Sequence, residues 1–399
     1  MGFVSTFCPI SGCSPIAAET LVFDDNIEPA IENSEREGAE RLRNARAELV
    51  EEGGGERSEL TVIGVINDDG HPVFDDANGS EDCDKLISDY VEDLKVVKGC
   101  ISGDYFEFGC VEHPYLMDSR GRPETYLVSY GAEVMVMSWA LPLLYLASNF
   151  RMNARRLWLL AMKIGRHQPH NHYVVPDVDY GLASEGIEQF LLPLVNWQTD
   201  DDEVVERLIQ LAKEAENTEV IKQRLVHEGG YWVWMAGDVF PLSPSHLPVY
   251  PLVPSYGQIS SLNPRSPALT NLPFDILSEI ASFLPLPSLL SLASTTPVIR
   301  QRLLGSPSSR SQTAREWLAN AGRCWLPLKV DLGISSPRKG AIPRLNDLPK
   351  PIVSLLGLEE GDNWWNYLQR CAESGSMKNR RRVWKVVEGI ERKAKDLGI

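Results

Sequence analysis

The chain lacks the short sequences that usually announce catalysis. It has no Walker A loop, no G-x-G-x-x-G fingerprint, no G-x-S-x-G elbow and no H-E-x-x-H helix, so the chemistries those scaffolds carry have no anchor in it. Long apolar runs are also missing. The most apolar stretch, 134–148, contains Pro142 and is shorter than the ~20 residues that span a bilayer, so it reads as buried core. Cysteine is sparse: seven residues, at 8, 13, 83, 100, 110, 324 and 371. An odd number at irregular spacing argues against a disulfide framework and for a reducing compartment. No repeat of 20–50 residues is visible, so propeller and leucine-rich arrays are not expected. The start of the chain has no basic n-region, so a cleaved signal peptide is not expected, although Met1-Gly2 with Thr6 fits the loose myristoylation pattern.

What the chain does have is length and charge asymmetry. With 399 residues and 43% hydrophobic content it can bury a substantial core and form two or three folded units. The net charge of −16 is unevenly spread: residues 1–100 hold 8 Lys and Arg against 23 Asp and Glu, and residues 301–399 hold 18 against 10. An acidic front repels a phosphate backbone, so nucleic acid is not the expected partner.

The patterning predicts an α+β chain. Helices are expected at 34–52, where Ser34 and Glu37 make a capping box, and at 153–164, 199–216 and 217–228. Strands are expected at 61–66 and 71–74, joined by a turn at Asn67-Asp68-Asp69-Gly70, and around 105–111 and 126–130. Tyr231-Trp232-Val233-Trp234-Met235 reads as a buried strand or an aromatic binding strip. Seven prolines between Pro241 and Pro267 imply an extended linker. The expected organisation is a mixed α and β domain over 1–240, a Pro/Ser-rich linker over 241–268, a three-helix module over 269–305 and a mainly helical, Trp-rich region over 306–399.

Metal-ligating candidates are few. His167, His170 and His172, followed by Asp177 and Asp179, have side chains that can bind zinc, but a polar loop of histidines is also simply solvated. Cys8, Cys13, Cys110 and His113 are a second set with poor ligand spacing. The acids before Asp84 lack the EF-hand order. No metal or cofactor is therefore assigned. Lys378, Arg380, Arg381 and Arg382 crowd the first turns of a tail helix expected over 377–397, the wrong end for positive charge without compensation. They read as an internally paired or solvated cluster, or as an anion-binding or nuclear-import patch.

Residues 269–305 carry the most specific pattern. Pro273, Pro287 and Pro297 each stand where a helix can begin. Ile276, Leu277, Ile280, Phe283 and Leu284 then fall on one helical face, Pro285 stops that helix, Leu289, Leu290, Leu292 and Ala293 furnish a second, and Thr296 caps a third that ends at Gly305. A unit below about 40 residues cannot bury that much apolar surface alone.

This pattern resembles the F-box of ubiquitin-ligase substrate receptors, and the tail resembles that of fungal F-box-containing proteins. The resemblance implies a non-catalytic receptor, cytoplasmic or nuclear, that binds a Skp adaptor and through it a cullin, while another part of the chain holds a substrate protein. By resemblance the adaptor contacts are Leu272, Pro273, Ile276, Ile280, Leu289 and Leu290. The third helix lacks the Trp the family often carries, which predicts that it docks weakly. Two alternatives stand beside this: a scaffold protein whose hairpin is internal, and a metal-dependent enzyme centred on His167, His170 and His172.

Overall fold

A computed structural model describes residues 8–13, 37–53, 60–65, 94–102, 105–108, 111–112, 129–130, 133–165, 175, 177–181, 201–227, 230–233, 235–241, 268–326 and 363–399. Helices and an antiparallel sheet are both present, so the chain is α+β. It divides into two compact units. The first takes Met1–Gly237, Ser335–Leu348 and Lys378–Ile399, and the second takes Asp238–Ile334 and Pro349–Met377.

The sheet of the first unit is built on β1 (Leu60–Val65), which pairs antiparallel with β2 (Leu94–Ser102) on one side and β6 (Glu133–Met137) on the other. Short strands β3 (Tyr105–Phe108), β4 (Val111–Glu112) and β5 (Ser129–Tyr130) complete the order β4-β3-β2-β1-β6-β5. Val62 and Ile63 are both fully buried, and because neighbouring strand residues point to opposite faces, both faces of β1 are covered. The expected hairpin partner of β1 at 71–74 lies outside the described residues; β1 is flanked instead by β2 and β6.

The apolar run at 134–148 is divided between β6 and helix α2 (Leu141–Ala147). Helix α3 (Ala154–Gly165) packs on the sheet through Leu157, Trp158, Leu160 and Ala161. A helical layer joins α1 (Glu37–Gly53), α4 (Asp201–Glu214) and α5 (Thr218–His227). Ala39, Leu42, Ala45 and Leu49 form the buried stripe of α1, and any side chain at Gly38 would collide with the Ile209 carbonyl of α4. Arg41 closes the end of α4 by donating to the Ala215 carbonyl, and the buried Lys222 of α5 meets Glu48 and Glu219, each at 3.1 Å.

The expected aromatic strand at 231–235 is a 3-10 turn, Tyr231–Val233, because Tyr231 turns inward and donates to the Leu49 carbonyl at 3.0 Å. Trp232 is half-buried with the Lys378 ammonium 4.5 Å from its ring centre.

The division into units departs from the expected one at the tail. Helix α10 (Asn363–Glu373) falls in the second unit, whereas helix α11 (Gly375–Asp396) belongs to the first from Lys378 onward, not to a separate region 306–399. Its stripe of Val383, Val387, Ile390 and Ala394 is buried there, and Asn379 and Arg380 donate to the Met235 and Gly237 carbonyls at 2.7 and 3.0 Å.

Candidate docking surface

The second unit opens with a 3-10 turn, Ala268–Asn271, and four helices: α6 (Phe274–Phe283), α7 (Leu286–Thr295), α8 (Pro297–Leu304) and α9 (Pro307–Ala319). Pro273 and Pro285 are extended residues immediately before α6 and α7, Pro287 is the second residue of α7, and Pro297 begins α8. The ring fixes φ near the helical value and needs no N–H, which suits each of these starts. Thr296 caps α8 by accepting from Ile299 N at 3.2 Å. Ser306 does the same for α9, accepting from Ser309 N at 3.0 Å.

Helix α6 is apolar on two opposite faces. Leu277 and Ala281 are fully buried, with Ser278 and Ser282 beside them, whereas Ile276, Ile280 and Phe283 are 46%, 39% and 65% exposed. The expected single face therefore splits, with Leu277 turning inward. The cause is α9, which lies against the small side chains of α6. Ser278 Oγ donates to Glu316, Asn320 Nδ2 donates to Ser282 Oγ at 2.8 Å, and Trp317 Nε1 donates to the Leu284 carbonyl at 2.8 Å. Trp317 is fully buried and tilted against Trp325, 5.4 Å between ring centres.

The six residues assigned by resemblance do not share one environment. Ile276, Ile280, Pro273 and Leu290 are exposed, and Leu272 is half-buried. Leu289 is fully buried with Ala293 on the inner side of α7, so it belongs to the core of the unit rather than to its surface. Helix α8, expected to dock weakly, buries Ile299 and Leu303 within its own unit. Thr313 Oγ1 donates to the Leu303 carbonyl at 3.0 Å, and Arg302 reaches back to the Thr270 carbonyl at 3.0 Å.

Among the described residues the large hydrophobic side chains left exposed are Leu269, Ile276, Ile280, Phe283 and Leu290, all within 22 consecutive positions of the chain. Scattered exposed leucines are ordinary, but a concentration within one segment makes that segment a candidate interaction surface. On α6 the spacing of 4 and 3 sets Ile276, Ile280 and Phe283 in one stripe. Phe283 was read from the sequence as part of the helix face but not among the contacts, and it is the most open of the five.

A second polar cluster lies inside the first unit, around residues 8–13. Cys8 N donates to the Cys13 carbonyl at 2.9 Å, and Cys8 Sγ accepts from Met137 N at 3.3 Å. Tyr180 OH donates to the Pro9 carbonyl at 2.6 Å, and its ring presses on Gly12, which sits at φ +73°. Arg382 donates to the Tyr180 carbonyl and to Asn379 Oδ1, each at 2.9 Å, and lies 3.5 Å from Cys13 Sγ. Burial pushes the Cys13 thiol and the Tyr180 phenol up and the Arg382 guanidinium down. Desolvation likewise lowers Lys378.

Of the four cations expected as a tail cluster, Arg380 and Arg382 are buried on backbone carbonyls and Lys378 rides on Trp232. Backbone carbonyls, an amide oxygen and an indole face are thus among the groups that receive them.

Among the described residues no group of three or more His, Cys, Asp or Glu is placed to hold a metal ion, and no helix is long and apolar enough to cross a membrane. His167, His170, His172, Cys110 and His113 lie outside the described residues, as do the turn at 67–70, the acids before Asp84, Met1 to Thr6 and most of the proline-rich linker. Compared with family models, with curated proteins and with solved structures, the chain matches none.

Proposed function

We propose that residues 269–305 form an F-box-type docking module that binds a Skp adaptor, and that the chain is a non-catalytic substrate receptor of a cullin ubiquitin ligase. The observation that carries this reading is that, among the described residues, the exposed large hydrophobics all fall within 269–290. Helices that bury one apolar face in their own unit and leave a second one open are suited to docking on a groove of another protein. The pattern from Leu272 to Leu292 supplies the identity of the partner by its resemblance to the family.

In this reading Pro273, Ile276, Ile280, Phe283 and Leu290 meet the adaptor, with Leu272 at the rim, and Leu289 holds the module together from inside. The mixed block, the tail or both hold the protein to be ubiquitinated, and the working compartment is the cytoplasm or nucleus. Ubiquitin transfer uses a thioester on a separate conjugating enzyme, so the receptor contributes proximity, which can lower a barrier by about 7 kcal/mol or more.

The test is co-purification of the full chain with a Skp adaptor beside Ile280→Asp and Phe283→Asp. Both variants place a carboxylate that is solvated in the free protein and desolvated on docking. A complex formed by the wild type and lost in both folded variants supports the proposal; equal recovery in all three removes it.

A further inference from the structure

Helix α6 ends in a way that its own sequence cannot complete. The last carbonyls of a helix have no partner within it, and Pro285, two residues past the end, has no N–H to offer. One of the groups is satisfied locally: Ala281 O accepts from Leu284 N at 3.3 Å. Two carbonyls at this end are satisfied from far along the chain. Ser282 O accepts from Ala321 N at 3.2 Å, and Leu284 O accepts from Trp317 Nε1 at 2.8 Å. Between those two carbonyls stands Phe283, 65% exposed. The indole itself has no freedom: it is fully buried, and any side chain at Gly322 would run into it.

We infer that Trp317 is a positioning residue of the docking surface, which fixes the end of α6 through the Leu284 carbonyl and so presents Phe283 to the partner. The docking module then extends past 305 to the end of α9. This rests on the docking function proposed above. A side chain held in its binding arrangement loses less freedom on association than one that must be ordered by the partner. Trp317 acts without touching the partner, and its whole effect passes through the residue it holds.

The experiment is a double-mutant cycle on the full chain, with Kd for the adaptor measured for wild type, Trp317→Phe, Phe283→Ala and the combination. Trp317→Phe keeps an aromatic ring and removes the N–H with the five-membered part of the indole. Kd should rise about fivefold, the size of one net hydrogen bond. In the Phe283→Ala background the same change should alter Kd by less than about twofold, because the group being positioned is gone. In the free protein, amide exchange at Leu284 should accelerate.

A residue that only supports the fold would lower Tm and leave the affinity of folded protein unchanged. Asn320→Ala, which removes the bond to Ser282 Oγ and leaves the indole in place, is the second probe should Trp317→Phe fold poorly, and it should shift Kd in the same direction. Strict additivity, or an unchanged Kd in folded Trp317→Phe, overturns the inference while wild-type binding leaves the docking function standing. Absence of wild-type binding overturns both.

Discussion

Opposite faces of one short helix should answer mutation in opposite ways. Ile276, Ile280 and Phe283 are 46%, 39% and 65% exposed, so docking has that fraction of each side chain still to bury. At about 1.5–3 kcal/mol for complete burial of a large apolar side chain, Phe283→Ala should weaken adaptor binding by about 1–2 kcal/mol, or about 5- to 30-fold. The triple replacement Ile276→Ala, Ile280→Ala, Phe283→Ala should weaken it by about 2–5 kcal/mol. Because each is only partly buried in the free protein, a single truncation should cost stability about 0.5–2 kcal/mol, less than at a fully buried site.

Leu277→Ala and Leu289→Ala should do the reverse. Both side chains are fully buried, so each truncation should cost about 2–5 kcal/mol of stability, with little effect on the affinity of molecules that remain folded. Urea unfolding gives the first quantity and calorimetric titration with the adaptor gives the second. A Phe283→Ala variant that unfolds as readily as Leu289→Ala, or an outer-face triple variant that binds as tightly as wild type, would refute the two-face argument.

Other outcomes follow from the first unit. Tyr145 lies buried with its phenol pKa pushed up to about 12 by desolvation, so the folded chain resists its ionisation more than the unfolded chain does. That contribution is complete below pH 10, the ordinary phenol value, and is lost as pH rises towards 12; on the order of 2–3 kcal/mol should disappear over that window. Tyr145→Phe should abolish this part of the alkaline loss, as followed by unfolding at fixed pH. Cys8, Cys13, Cys324 and Cys371 are buried, so a thiol reagent should leave at least four of the seven cysteines unmodified in native protein and reach all seven in denaturant. Arg382→Ala strips the Tyr180 carbonyl and Asn379 Oδ1 of their donor and should destabilise the fold by about 1–3 kcal/mol for each group left unpaired, measurable by thermal unfolding.

The elements were largely legible in the sequence, and their neighbours were not. Prolines and caps marked α6, α7 and α8 because those devices act within four residues of the chain. The two faces of α6 were merged because Ile276 and Leu277 are adjacent and equally apolar; hydrophobicity says that a side chain avoids water, not which surface it meets. The signal that separates them is the small-residue set Ser278, Ala281 and Ser282, which lets another helix approach on that side. Leu289 was placed outside and Phe283 left out of the contact set for the same reason. The basic run at 378–382 left an internally paired or solvated cluster and an anion-binding or nuclear-import patch both open, because carbonyl partners leave no trace in composition. Helix α11 showed an apolar stripe, but the surface that receives it lies more than a hundred residues away.

That separation has a temporal side. Arg382 meets Cys13 across 369 positions of chain, so the loop at residues 8–13 emerges from the ribosome long before the helix that secures it exists. At about 5–20 residues per second, translation leaves an interval of roughly 12–50 seconds in which the sheet of the first unit, complete in sequence at Met137, exists without the helix that secures residues 8–13. During that interval the groups this helix will cover are open to chaperones and to neighbouring nascent chains. The docking helices and their brace, all within 268–326, emerge before that last helix, while the second unit as a whole is completed only by the residues up to Met377.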